Sequence, residues 1–372
     1  MDITLFSAGI CLMIMLFEIK SLNSLKRVVY VQIFLILSLM FLFMISNLYT
    51  ISYIYSEKKN TAMILNFFTV LYPFIAFKRV LFKELQKLMY LVGVLTIGIL
   101  FYVYFTITFI IFFDVTQAIE SVPTYLAVGI MLSACFIFSL SSKPSISVIA
   151  YRLVILFLLT QLGGRGPLIN LILSLGIYYV LNLKNLKFNY KVVLAATSAI
   201  LFIIFYLDKI IGLIIENVNI DRFNLVKASA EDGSVLYRVM VMNKAIDSFY
   251  NHPFAGLGIG SGGIVLTGQD QVEFPHNLVL ESLMEVGILG GLLYLSIYIY
   301  FFVYHLRFAR KNKKLLIMYI VALLFFLEDM KSGSFDTWRI SLFWICIYMI
   351  QYNFQTDSEK SKIYLEKTFN NK

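Results

Sequence analysis

Residues 28–48 read VVYVQIFLILSLMFLFMISNL, a run with no charged side chain, entered directly from Lys26 and Arg27. About 20 apolar residues in helix, at 1.5 Å per residue, cover the roughly 30 Å of hydrocarbon in a bilayer, so this run is long enough to span. Lipid offers the backbone no hydrogen-bond partner, and the run lacks the alternation of a barrel strand, so the span is a helix. Comparable runs recur near 3–18, 61–77, 88–112, 123–141, 145–162, 167–183, 192–207, 281–304, 315–328 and 340–352. The expectation is an all-α, polytopic integral membrane protein with about 11 transmembrane helices, within a range of 10–12.

Composition points the same way. The chain is 60% hydrophobic and 14% charged, against about 25% charged residues in a soluble chain, an imbalance that no soluble core absorbs. The net charge of +9 does not indicate nucleic acid. Lys and Arg cluster between apolar runs, without aromatic stacking platforms or a basic soluble domain. Cys11, Cys135 and Cys346 lie inside apolar segments with neither paired nor metal-ligand spacing, which implies no disulfide and no zinc site. The N-terminus shows no basic leader and no cleavage site after its apolar stretch, so it reads as a retained first span.

The basic clusters alternate along the chain. Lys20, Lys26 and Arg27, then Lys78 to Lys87, Lys143, Lys184 to Lys191, and Arg307 to Lys314 fall on one side. Glu57 to Asn60, the acidic 114–120 segment, the turn Gly163-Gly164-Arg165-Gly166, a long segment near 208–276 and residues 328–339 fall on the other. By the positive-inside rule the first set is cytoplasmic, with the N-terminus outside and the C-terminal tail inside. Only the Lys58-Lys59 pair fits this alternation poorly. The organisation expected is an N-terminal bundle of about eight helices over 1–207, a large extracytoplasmic loop with short helices over 208–280, transmembrane helices over 281–352 and a cytoplasmic tail over 353–372. Within the loop, Val239, Met242, Ala245, Ile246 and Phe249 at helical spacing predict a helix from Val235 to Tyr250. The glycines between Gly256 and Gly263 then supply backbone free of side-chain bulk.

Four residues on this scaffold could carry chemistry. Arg165 stands on a glycine turn at a membrane mouth, where its planar fork of donors could grip an anion and Gly163, Gly164 and Gly166 permit close approach; the competing reading is an interfacial snorkelling Arg. Arg238 opens the loop helix and could be a ligand or a solvated surface Arg. Arg152 lies within an apolar run, where a charge is costly enough to be a functional candidate, lining a cavity for substrate. His276, in Pro275-His276-Asn277, sits where the loop meets the next span, and imidazole exchanges protons near neutral pH. After a nine-residue spacer come Gly287-Ile288-Leu289-Gly290. Glu281 and Glu285, four residues apart, share a helical face, and Glu285 reads as a brace for that helix.

The His276-Asn277, spacer, Gly287-x-x-Gly290 pattern resembles the signature of the bacterial O-antigen ligase and polymerase family. Tyr237-Arg238-Val239-Met240 through Asn251-His252-Pro253-Phe254-Ala255-Gly256-Leu257-Gly258-Ile259-Gly260 resembles the segment that precedes it there, and Gly163-Gly164-Arg165-Gly166 resembles the family's arginine turn. The likeness runs across roughly 155–300. It implies a membrane glycosyltransferase of the bacterial cytoplasmic membrane, acting at its outer face on a polyprenyl-diphosphate-linked oligosaccharide. Arg165 and Arg238 match arginines that engage the donor diphosphate, with Arg152 as a further substrate-binding candidate, and His276 matches the catalytic base. Gly164, Asn277, Glu285, Gly287 and Gly290 would support them. An O-antigen polymerase is the favoured reading, with a ligase to lipid A core as the alternative and a flippase as the alternative of another class. The partners implied are the lipid-linked oligosaccharide, membrane lipid and a chain-length regulator. No Asp-x-Asp pair or His/Asp cluster calls for a divalent ion, so no metal and no cofactor are expected.

Overall fold

The computed structural model describes residues 25–76, 82–110, 125–162, 165–182 and 233–353. The expected spans at 3–18 and 192–207, the 114–120 segment, residues 208–232 and the tail beyond 353 lie outside the described residues. Every described element is helical: Arg27–Ser46 (α1), Ile54–Ala76 (α2), Phe82–Ile110 (α3), Tyr125–Ser139 (α4), Ile146–Gln161 (α5) and Arg165–Asn182 (α6). Gly233–Asn251 (α7), Gly262–Thr267 (α8), Leu278–Ala309 (α9) and Lys313–Ser332 (α10) follow, and residues 339–353 form α11. By length and composition α1, the 82–102 stretch of α3, and α9 are able to cross a membrane.

The surface around these helices is what lipid requires. Phe34, Phe41, Leu91, Ile99, Ile172 and Val303 lie exposed in the middle of their helices, whereas a water-soluble bundle would present charge there. Inside, α9 packs along α1, and Gln32 Nε2 donates to the Ile297 carbonyl at 3.0 Å. The α10 helix packs against α6 and α9, and Asn170 Nδ2 of α6 donates to Glu328 Oε2 at 2.7 Å. Helix starts follow local chemistry: the Asn312 side chain accepts from the Lys314 and Leu315 amides, and Ser145 accepts from the Val148 amide.

Two features depart from the sequence reading. The Glu57 to Asn60 segment, expected as a loop, is the first part of α2. Asp270 explains the early start, because its carboxylate accepts from the Ser52 hydroxyl at 2.6 Å and from the Tyr53 and Ile54 amides at 2.7 and 2.9 Å. Those hydrogen bonds hold the Asp270 carboxyl down at about 2, the ordinary response of a carboxylate accepting several donors. The Lys58-Lys59 pair splits: Lys58 reaches Asp336 at 3.2 Å near the surface, while Lys59 is wholly buried. A lysine whose charge is neutralised inside the protein carries no topological signal.

The second departure is inside α9. Gly287 has φ 69 and ψ −162, so the helix is broken into two pieces. Positive φ of this kind is accessible to glycine and almost nothing else. The amide and carbonyls freed at the break are not orphaned. Leu257 N donates to Met284 O at 3.0 Å, Gly258 N to Glu285 O at 2.8 Å, and Ile288 N to Pro253 O at 2.8 Å. The glycine-rich loop is therefore a backbone clamp on the α9 break, and a methyl group on Gly287 would collide with the carbonyl of Phe254.

Candidate active site

His276 stands immediately before α9, in the left-handed region at φ 55. It is the one non-glycine residue with positive φ among those described, and such conformations persist where the surroundings fix them. Asn277 does the fixing. Its Oδ1 accepts from the Val279 and Leu280 amides at 3.0 and 3.1 Å, capping α9, while its Nδ2 donates to Met330 O at 2.9 Å. The His276 ring meets Phe274 edge to face with centroids 4.6 Å apart. Burial pushes the His276 imidazole below its usual value and the nearby Arg238 guanidinium pushes it further down, with Glu273 opposing. Both influences favour the neutral imidazole, the form that accepts a proton.

Arg238 reaches the site because α7 lies across α9 and α8. Val241 and Ala245 bury against Leu266 of α8 and Met284 of α9, with Leu280 beside them. That stripe sets the rotation of α7 and leaves half-buried Arg238 within electrostatic reach of both His276 and Lys331. Arg165 is the first residue of α6. Lys331 marks how close the start of α6 lies, since a methyl group on Gly166 would occupy the position of its ammonium. Arg165, Arg238, His276 and Asn277 are thus gathered at one end of the bundle around the end of α10.

Other sequence candidates sit elsewhere. Gly164 lies outside the described residues. Arg152 donates from Nε to Ser139 Oγ at 2.8 Å and from Nη2 to Ser139 O at 2.6 Å, closing the end of α4. From Arg152 the rest of α5 to Gln161 extends about 14 Å at 1.5 Å per residue, so Arg152 is not brought to the His276 cluster. Glu285 and Glu281 are fully buried, and both bind the Lys59 ammonium. Glu281 also accepts from the Ser334 hydroxyl at 3.2 Å and the Phe335 amide at 3.1 Å. Gly290 lets α9 resume after the break, because a methyl group there would strike Val286. No group of three or more His, Cys, Asp or Glu side chains that could hold a metal occurs among the described residues.

Lys331 was not singled out from the sequence, and Lys59 only as half of the pair that fits the charge alternation poorly. Lys331 had one usable signal, a cation at the end of a span on the side otherwise poor in basic residues. Lys59 had that misfit, but nothing pointed to its carboxylate partners, which are more than 200 positions away.

With this geometry in place, comparison with known families is informative. Residues 150–295 match the family described as O-antigen ligase. The match supports the O-antigen ligase and polymerase family and covers about two fifths of the chain. No curated protein matches the chain. Members of the O-antigen ligase family are glycosyltransferase-like enzymes acting on polyprenyl-linked sugars in membranes. The matched segment runs from α5 into α9 and takes in Arg165, Arg238, His276, Gly287 and Gly290; Lys59 and Lys331 lie outside it.

Proposed function

We propose that the protein is a polymerase of surface polysaccharide, joining polyprenyl-diphosphate-linked repeat units by an inverting, metal-independent glycosyl transfer at the outer face of the cytoplasmic membrane. The observation that carries this reading is the placement of a neutral-leaning imidazole, His276, in the field of Arg238 and at the bundle end where the Arg165 helix begins. In the reaction the acceptor hydroxyl gives its proton to the His276 imidazole as its oxygen attacks the anomeric carbon. The bond from that carbon to the diphosphate oxygen breaks, and its electron pair leaves on the diphosphate. Charge grows on the leaving group at the transition state, so fixed guanidinium groups lower the barrier more than they stabilise the bound donor. Attack from the face opposite the leaving group inverts the anomeric configuration. Gly287 and Asn277 serve this chemistry indirectly, holding the short first piece of α9 that presents His276.

A ligase acting on lipid A core shares every one of these steps and is favoured by the family description of residues 150–295. The acceptor separates the two. Purified protein incubated with a defined polyprenyl-diphosphate oligosaccharide, with and without lipid A core, should yield a ladder of products in the first mixture. A single transfer that occurs only with core assigns the ligase. His276→Ala should abolish transfer while donor still binds, and near-normal turnover in that variant removes His276 from the base role. In cells, lipid-linked units trapped on the inner face of an inactive mutant would favour a flippase instead.

A further inference from the structure

We infer that Lys331 is a third cationic ligand of the donor diphosphate, acting with Arg165 and Arg238; the inference rests on the donor reading above, but Lys331 itself lies outside the family match. The Lys331 side chain is 33% exposed, yet its ammonium nitrogen is buried and has no hydrogen-bond partner among the described residues. Its nearest carboxylate oxygen, on Glu328, is 3.9 Å away, beyond hydrogen-bond reach, and the other Glu328 oxygen is taken by Asn170 at 2.7 Å. The ammonium turns instead toward Gly166, in the first turn of α6.

That position is electrostatically wrong for an empty site. The first turn of an 18-residue helix carries the positive end of the helix dipole, which repels a cation. Arg165 opens the same turn, and Arg238 is within electrostatic reach of Lys331. A buried ammonium in the field of the Arg238 guanidinium and against a helix N-terminus lacks only an anion placed between them. The two phosphates of a lipid diphosphate supply that anion, with enough acceptor oxygens for all four sets of donors. Lys331 follows Met330, whose carbonyl holds Asn277 beside His276. A diphosphate gripped by Lys331 is thereby indexed to the base through one turn of α10.

The test uses the full-length protein in nanodiscs and measures binding of farnesyl diphosphate and farnesyl monophosphate, with unfolding midpoints recorded without ligand. Loss of a charge-assisted hydrogen bond to phosphate should weaken farnesyl diphosphate binding by roughly tenfold to a hundredfold in Lys331→Met. The monophosphate should suffer less, and Lys331→Arg should retain most of the diphosphate affinity. Diphosphate affinity within twofold of wild type in a folded Lys331→Met protein overturns the role of Lys331 and leaves the donor reading standing. Failure of the wild-type protein to bind farnesyl diphosphate overturns both. If Lys331→Met does not fold, Glu328→Gln decides. A diphosphate ligand at Lys331 predicts binding by Glu328→Gln at least as tight as wild type. A lysine present only to pair with Glu328 predicts that Glu328→Gln loses stability and affinity together.

Discussion

Replacing Lys59 by Met should be among the most damaging single changes outside the reaction site. Lys59, Glu281 and Glu285 have fully buried side chains, and the one ammonium donates to both carboxylates. Removing one partner of a buried ion pair costs about 3–5 kcal/mol because the remaining charge is left without compensation. Here two carboxylates lose their only cation among the described residues at once, so the upper end of that range applies. At roughly 2 °C per kcal/mol, the low end for larger chains, about 5 kcal/mol lowers the unfolding midpoint by about 10 °C. The carboxylates should respond unequally. Glu285→Gln leaves one lysine facing one carboxylate, and one Glu285 oxygen has no partner to lose, so its cost should stay below about 1 kcal/mol. Glu281→Gln also disturbs the bonds to the Ser334 hydroxyl and Phe335 amide and should cost about 1–3 kcal/mol. The assay is thermal unfolding of purified variants in one detergent, followed by intrinsic fluorescence. A Lys59→Met midpoint within about 2 °C of wild type, or Glu285→Gln as damaging as Lys59→Met, would refute the reasoning.

The pH dependence of transfer should report the surroundings of His276. Burial and Arg238 lower its imidazole below the ordinary 6.5, so the acidic limb of kcat/KM should fall below that value. Arg238→Gln should move the limb upward and Glu273→Gln further down, and a limb at 6.5 or above in wild type contradicts the assignment. Gly287→Ala should cost about 1–3 kcal/mol from the glycine-only backbone alone, and more if the clamp to Pro253, Leu257 and Gly258 opens. Transfer should fall further than donor binding, and a variant with unchanged midpoint and turnover shows that the break tolerates a side chain. Arg152→Ala should lose about 1.5–3 kcal/mol of stability with its charge-assisted bonds to Ser139, while farnesyl diphosphate affinity stays within twofold; a large affinity loss in a stable variant would return Arg152 to the substrate site.

Much of the fold was readable because lipid leaves the backbone few choices. The run at 28–48 became Arg27–Ser46, and the run at 145–162 became Ile146–Gln161. Apolar length decides such elements locally, as helical spacing did for Gly233–Asn251. The loop assigned to Glu57 through Asn60 failed because hydropathy scores Lys59 as a surface residue. Its true environment is set by Glu281 and Glu285, and no local pattern encodes that pairing. Arg152 was drawn to the site by the general cost of an intramembrane charge, but Ser139 meets that cost with two hydrogen bonds. The glycines at 256–260 were read as backbone free of side-chain bulk; Gly256 meets the backbone of α9 at Met284 and Glu285, Gly258 meets Thr50, and Gly260 meets the backbone of Tyr55 and Ser56 in α2.

The spacing between His276-Asn277 and Gly287 has a structural reason. Asn277 begins the helix and Gly287 breaks it, so the residues between them form a separate strut of two and a half turns. Glu281 and Glu285 fall one turn apart on the strut's buried face, where Lys59 holds both. Met284 and Glu285 offer their free carbonyls to the loop at the other end. A strut capped at one end, clamped at the other and pinned from inside is held in one orientation, and His276 directly precedes its cap. The same cap reaches Met330, which ties the strut to the end of α10 one residue before Lys331. Placement of the imidazole against the cations therefore depends on a buried lysine and a backbone clamp that never touch substrate.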